Sequence, residues 1–189
     1  ERMAASLTLT NARVTLSQPV TSRQFVPPAA PGASAPPAAL TELPTFCRVA
    51  LTLTPSSDSD IKSEVWLPLA GWNGKFQQVG NGGWGGSIQY AALASALRRG
   101  YAASSTDTGH VGDNAQFVVD HPEKLIDFGH RAVHETAVQS KAIVAAAYAT
   151  APRLSYFVGC SIGRSPTSAR RLDGSALVWP NNPWKPVKK

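Results

Sequence analysis

Arg153-Leu-Ser-Tyr-Phe-Val-Gly159-Cys160-Ser161-Ile162-Gly163 decides how this chain is read. Leu154 to Val158 is a short apolar, aromatic and β-branched run, the signature of a buried strand. It leads directly into a Gly-x-Ser-x-Gly pattern. A serine on a sharp strand-to-helix turn projects its hydroxyl outward only where the residues two before and two after it have almost no side chain. Gly159 and Gly163 meet that demand. The N–H of Ile162 then points to where an oxyanion would form. Taken alone, the pattern reads equally as a reactive Ser161 or as a glycine-serine turn, and the rest of the chain has to decide.

The chain has 189 residues, 43% of them hydrophobic, which suits one domain with an ordinary core. No apolar run approaches the roughly 20 residues that span a bilayer, so no membrane association is expected. No signal peptide is visible. Six of the 18 Lys/Arg lie after Ser161, where Asp173 is the single acid, so the tail carries nearly all of the net +6 charge. A basic tail of this kind can meet nucleic acid or anionic lipid. It has no groove-reading or stacking motif, and a solvated tail without nucleic-acid binding is the expectation. The two cysteines, Cys47 and Cys160, are too few for a disulfide framework and lack metal-site spacing. They either pair with each other or have each lost a partner.

Upstream of the elbow, Ser6 to Leu16 alternates as an edge strand or hairpin, and Pro27 to Pro37 reads as an extended surface loop. Phe46 to Thr54 and Ile61 to Leu67 read as an out-and-back pair of strands across the turn Pro55 to Asp60. Gly71 to Gly74 is a turn, and Lys75 to Gly80 a further strand. Gly80-Asn-Gly-Gly-Trp-Gly-Gly86 comes next. It is either a flexible turn or an anion-binding loop with uncovered N–H groups, and it is no phosphate loop, because no Gly-Lys-Ser/Thr succeeds it. Ala91 to Arg99 reads as a helix stopped by Gly100, and Tyr101 to Ser105 as a strand. Asp107 and His110 stand just beyond, at a strand's carboxyl end where α/β sheets carry their sites, either lining a site or bonding their own loop.

Pro122 to Thr150 predicts a long helix. Its apolar face runs through Leu125, Phe128, Ala132, Val133, Thr136, Ala137, Ser140, Val144 and Ala147, with a bend at Gly129. His130 and His134 stand four apart on it, but no Glu-x-x-His context makes them a metal pair, and no metal or other cofactor is expected. Alternating strand and helix implies a mostly parallel sheet with antiparallel strands at its amino-terminal edge. That is the element order of an α/β-hydrolase up to its nucleophile, with the Gly-rich loop where that fold holds its second oxyanion donor.

A colinear set of residues then resembles the tannase and feruloyl esterase family of secreted α/β-hydrolases. The set is Phe46-Cys-Arg-Val, Ile61 through Pro68, Gly71-Trp-Asn-Gly-Lys-Phe-Gln77, Gly80-Asn-Gly-Gly-Trp84, Ser105-Thr-Asp-Thr-Gly-His110, His121-Pro-Glu-Lys-Leu-Ile-Asp-Phe-Gly129, Arg131-Ala-Val-His134 and Gly159-Cys-Ser161. The resemblance implies hydrolysis of phenolic carboxylic esters, feruloyl or galloyl, in small molecules or plant polymers, by a secreted or periplasmic protein. It makes Ser161 the nucleophile, with oxyanion donors at the Ile162 N–H and in the Gly82-Gly83 loop. It also matches Cys160 to a cysteine that pairs with one beside the catalytic histidine, and Cys47 to one whose partner lies upstream. Residues 1–46 contain no cysteine, so Cys47 is expected to have lost its partner.

The resemblance stops just after Ser161. The family continues Thr-Gly-Gly-Arg-Gln, whereas this chain reads Ile162-Gly163-Arg164-Ser165-Pro166 and then a divergent tail. The expectation is residues 1–163 as the amino-terminal part of a catalytic domain, and 164–189 as an irregular tail created by frameshift or truncation near codon 162. In this fold the acid and the histidine come after the serine. All four histidines, His110, His121, His130 and His134, precede Ser161, and Asp173 is the one acid after it. Little or no activity is expected, because a serine without a general base loses about 10²–10⁴-fold. Other readings are a non-catalytic module holding a phenolic ligand, and a residual enzyme with His110 as base.

Overall fold

The computed structural model describes residues 9–29, 34–159, 170–172 and 176–179. Its frame is a twisted sheet of eight strands: β1 (Ala12–Val20), β2 (Phe46–Leu53), β3 (Ile61–Pro68), β4 (Lys75–Val79), β5 (Ala102–Thr106), β6 (Leu154–Val158), β7 (Arg170–Leu172) and β8 (Ala176–Trp179). Their spatial order is β1-β2-β3-β5-β4-β6-β8-β7. The first three strands form an antiparallel meander, and β3 also runs antiparallel to β5. The centre is parallel, with β4 between β5 and β6. This is the mixed sheet of an α/β-hydrolase-like fold, with the antiparallel edge where the sequence suggests it.

Alternation along β2 and β3 explains the two cores. Cys47, Val49, Leu51 and Leu53 share one face with Ile61, Val65 and Leu67, and the helix α3 (Ala132–Tyr148) covers it through Ala132, Ile143 and Val144. Phe46 and Trp66 point the other way and meet Leu93, Ala94, Ala96 and Leu97 of the helix α1 (Tyr90–Arg98). Gly100 ends α1 at φ +76°, with its N–H bonded to the Leu97 carbonyl at 2.9 Å, as the stop at this position anticipates. All five residues of β5 are buried, because helices cover both faces of this central strand.

Three features differ from the sequence reading. The first strand runs Ala12–Val20 rather than Ser6 to Leu16, entered through Asn11 at φ +53° and interrupted by a bulge between Val14 and Leu16. The long helix divides into α2 (Pro122–Ile126), one π-turn over Asp127–Arg131, and α3. A π-turn inserts one residue, so the apolar stripe changes phase at Gly129. Leu125 is consequently exposed, while Phe128, Ala132, Val133, Thr136, Ala137, Ser140 and Val144 are buried. Lastly, the sheet does not end at β6, and the segment expected to be irregular contributes β7 and β8. The β-forming run Ala176-Leu-Val-Trp179 pairs antiparallel with β6 and so uses the hydrogen-bonding edge that β6 would otherwise expose.

Cys47 is a buried free thiol on β2, 3.9 Å from the Ser17 hydroxyl. Cys160, the other cysteine, lies outside the described residues. No helix among the described residues is long and apolar enough to cross a membrane.

Candidate active site

Parallel strands deliver the loops after them to one edge of a sheet, and here three do so together. Val79 is in register with Ser105 on one side and Val158 on the other. The loops after β4, β5 and β6 therefore begin side by side. The Gly80 N–H donates to the Val158 carbonyl at 2.9 Å, tying the Gly-rich loop to the last residue of the strand that enters Gly159-Cys160-Ser161. Cys160, Ser161 and Ile162 themselves lie outside the described residues.

The Gly-rich loop is fixed from within. Asn81 is buried, and its Nδ2 donates to the carbonyls of Gly85 and Ser87, both at 2.8 Å. The Gly85 N–H closes a turn onto the Gly82 carbonyl at 3.1 Å. Gly83 sits at φ +54°, a conformation that favours glycine, and Gly82 and Gly83 are both exposed. The loop is thus an ordered turn with exposed backbone, rather than a floppy one.

The loop after β5 packs against it. Gly86 forms a two-residue bridge with Gly112, its N–H 2.7 Å from the Gly112 carbonyl. A Cβ on Gly86 would stand 2.5 Å from the His110 carbonyl oxygen, so only glycine permits this approach. Asp107 is buried, and its Oδ1 accepts from the backbone N–H groups of Lys62 at 2.9 Å and Gly109 at 2.8 Å. Burial pushes its pKa up to about 7, outweighing those two bonds, which favour the charged form. Next to it Thr108, a β-branched residue, is held at φ +61°, a conformation such residues rarely adopt.

His110 is buried between the two loops. Its Nε2 lies 2.7 Å from the Trp84 carbonyl and its Nδ1 3.2 Å from the Thr108 hydroxyl. The ring stacks on Phe117 at 3.7 Å and 12°, with Phe128 edge-on at 5.5 Å. Burial pulls its pKa below the usual imidazole range, and the bond to the Trp84 carbonyl opposes this.

The π-turn supports both loops. Phe128 stacks on the Trp84 indole at 4.8 Å and 20°. Asp127 is fully buried, and a Cβ on Gly109 would touch it at 3.4 Å. Arg131 Nε donates to Asp127 Oδ1 at 2.5 Å. The same guanidinium reaches Glu123 Oε2 at 2.7 Å, and the Ser59 and Ser56 hydroxyls at 3.3 and 3.4 Å. The sequence reading missed this support. The available signal was an acid, Asp127, between two positions of an apolar helical face, where a charge is tolerated only with a partner.

Asp107 and His110 thus stand at the carboxyl end of β5 as read, each bonded to loop backbone. Gly82 and Gly83 stand at the carboxyl end of β4. The other histidines are elsewhere: His121 bonds Asp58 at 3.0 Å, and His134 on α3 lies 4.0 Å from Glu135. Among the described residues, no three His, Cys, Asp or Glu side chains gather as a metal site needs.

A strained turn and a glycine loop thus stand beside the strand that leads into the Gly-x-Ser-x-Gly sequence. A family model for tannase and feruloyl esterase matches residues 47–171. The chain belongs to the tannase and feruloyl esterase family. It is 49% identical over 127 residues to an uncharacterized esterase of Xanthomonas campestris pv. campestris, covering 66% of this chain and 22% of that protein. It is 40% identical over 118 residues to a probable feruloyl esterase B-1 of Aspergillus fumigatus, covering 62% of this chain and 22% of that one. The crystal structure of feruloyl esterase B from Aspergillus oryzae superimposes with a TM-score of 0.75 at 36% identity, over 84% of this chain and 31% of that one. The chain therefore spans about a fifth of the length of the curated relatives it matches.

Proposed function

We propose that this chain is part of a serine carboxylic ester hydrolase acting on phenolic esters such as feruloyl or galloyl esters. Ser161 attacks the ester carbonyl. The Ile162 N–H and the backbone of Gly82 and Gly83 hold the oxyanion, and Asp107 and His110 line and shape that side of the site. The observation that carries this reading is the 2.9 Å bond from the Gly80 N–H to the Val158 carbonyl, which joins the Gly-rich loop to the strand entering the elbow. Family membership supports the ester chemistry. The phenolic substrate, and export from the cytoplasm, rest on the resemblance.

These 189 residues alone turn over little ester. The fold uses a histidine that comes after the serine, and all four histidines of this sequence precede Ser161. Purified chain is expected to hydrolyse methyl ferulate at least about 10²-fold more slowly than A. oryzae feruloyl esterase B at equal concentration. Turnover within tenfold of that enzyme would mean that a base is present and this part of the reading is wrong. The ester reading is tested by grafting residues 1–161 onto the remainder of feruloyl esterase B. Hydrolysis by the graft that vanishes with Ser161→Ala supports it, and hydrolysis that survives the substitution rejects it.

A further inference from the structure

We infer that His110 is the strut that holds the Gly82-Gly83 turn in its working shape, through the Trp84 carbonyl, and that it does not act as a base. The inference rests on the proposed oxyanion role of that turn, although its geometric part can be tested without it.

A carbonyl oxygen can only accept, so at 2.7 Å from the Trp84 oxygen the His110 Nε2 carries the proton. In the neutral ring, Nδ1 is then the acceptor, and it stands 3.2 Å from the Thr108 hydroxyl, whose one proton is shared with the nearer Asp107 carbonyl at 2.6 Å. Nε2 is therefore committed to the Gly-rich loop, while the buried Nδ1 stays against Thr108 of its own turn. The ring cannot swing away either, because it is buried and stacked on Phe117 at 3.7 Å.

The bond falls at an informative position. Trp84 is the third residue of the turn closed by Gly85 onto Gly82. Fixing its carbonyl fixes the plane of the Trp84–Gly85 peptide, and with it the rotation of the turn about Gly83. From the other side Phe128 stacks on the Trp84 indole at 4.8 Å. The two ends of Trp84, carbonyl and ring, are therefore gripped separately, while the exposed glycine N–H groups beside it carry no side chain of their own to orient them. Oxyanion stabilisation depends on donors fixed before charge develops, so a residue that fixes the turn acts on the rate without touching substrate.

Two variants separate the bond from the packing. His110→Phe keeps an aromatic ring against Phe117 and removes both nitrogens, whereas His110→Gln restores a donor near Nε2. In the full 189-residue chain, ring ¹⁵N shifts are expected to show His110 as the Nε2–H tautomer. The Gly85 and Gly86 amides are expected to exchange with solvent about tenfold faster in His110→Phe, with partial recovery in His110→Gln. In the graft onto feruloyl esterase B, His110→Phe is expected to lower kcat for methyl ferulate at nearly constant KM, and His110→Gln to recover part of it. An Nδ1–H tautomer, or exchange rates unchanged in His110→Phe, overturns the strut. Altered exchange with unchanged kcat leaves the strut standing and rejects the oxyanion role of the turn. A kcat abolished equally by both variants, with exchange unchanged, identifies His110 as a base instead.

Discussion

Two buried carboxylates lie within a few residues of the same sheet end, and they are treated in opposite ways. Glu64, on β3, faces the α1 side of the sheet. It receives both arms of the Arg48 guanidinium, the Trp66 indole N–H at 2.9 Å and the Tyr90 hydroxyl at 2.9 Å. Arg48 in turn lies over the Phe25 ring at 5.3 Å. Asp107, at the carboxyl end of β5, receives two backbone N–H groups, and burial pushes it up to about 7. The first is a charge sealed into a closed network, which fixes one arrangement of sheet and helix. The second is poised between charged and neutral, next to strained backbone at Thr108. The difference shows where this fold holds its stability and where it leaves groups adjustable. A buried charge with full partners is a structural device, whereas a buried acid bonded only by two backbone N–H groups keeps its ionisation open to pH.

The sharpest way to break this contrast is to open the closed network. Glu64→Ala strands the Arg48 guanidinium, the Trp66 N–H and the Tyr90 hydroxyl, and is expected to cost about 3–5 kcal/mol in urea unfolding. A loss under about 1 kcal/mol would mean that water replaces Glu64 readily and the network is not sealed. On the site side, Phe128→Ala removes the ring under Trp84 and is expected to cost about 3 kcal/mol, with a change in tryptophan fluorescence that a distant core deletion such as Val144→Ala does not produce.

The adjustable acid predicts a pH dependence. Because Asp107 is raised in the folded chain, the unfolded chain ionises first, near the ordinary value of 3.8, while the folded group stays protonated until about 7. Its contribution to stability therefore falls as pH rises from about 4 to about 7 and is level above that. Asp107→Asn keeps the accepting Oδ1 and cannot ionise. Its stability relative to the parent is expected to climb by about 3–4 kcal/mol over that window. His110, lowered by burial, works in the opposite sense, contributing fully above about 6.5 and less as pH falls. It is common to both proteins and cancels from the difference. A difference that stays flat from pH 4 to 8 would place Asp107 with Glu64, as an ordinary structural acid. The smallest expected effect is Gly83→Ala. Nothing lies within 4 Å of a Cβ there, so its cost of about 1 kcal/mol is conformational alone, and Gly83→Asn should cost less.

These contrasts also show what the sequence could and could not reveal. Alternation from Phe46 to Leu67 exposed the strands because every second side chain enters one core or the other. The run Leu154 to Val158 and the stop at Gly100 were legible for the same local reasons. The Gly-rich loop and the Asp107–His110 turn could be placed at strand ends from their composition. The π-turn could not, because one inserted residue leaves a helical period nearly intact and shows only as the exposed Leu125. The grip on Trp84 was invisible too, since it joins residues 26 and 44 positions apart, and nothing local in His110 or Phe128 announces a partner. Nothing in the strand pattern around Glu64 announces its partners, and only the fold brings Arg48 and Tyr90 to it.

The central proposal is that Ser161 is a reactive nucleophile. The most direct test is mass mapping of the graft onto A. oryzae feruloyl esterase B after treatment with an ethyl fluorophosphonate. The account predicts one phosphonyl adduct per chain, on Ser161, and none after Ser161→Ala. An adduct on any other residue, or an active graft that Ser161→Ala leaves fully labelled, would contradict it.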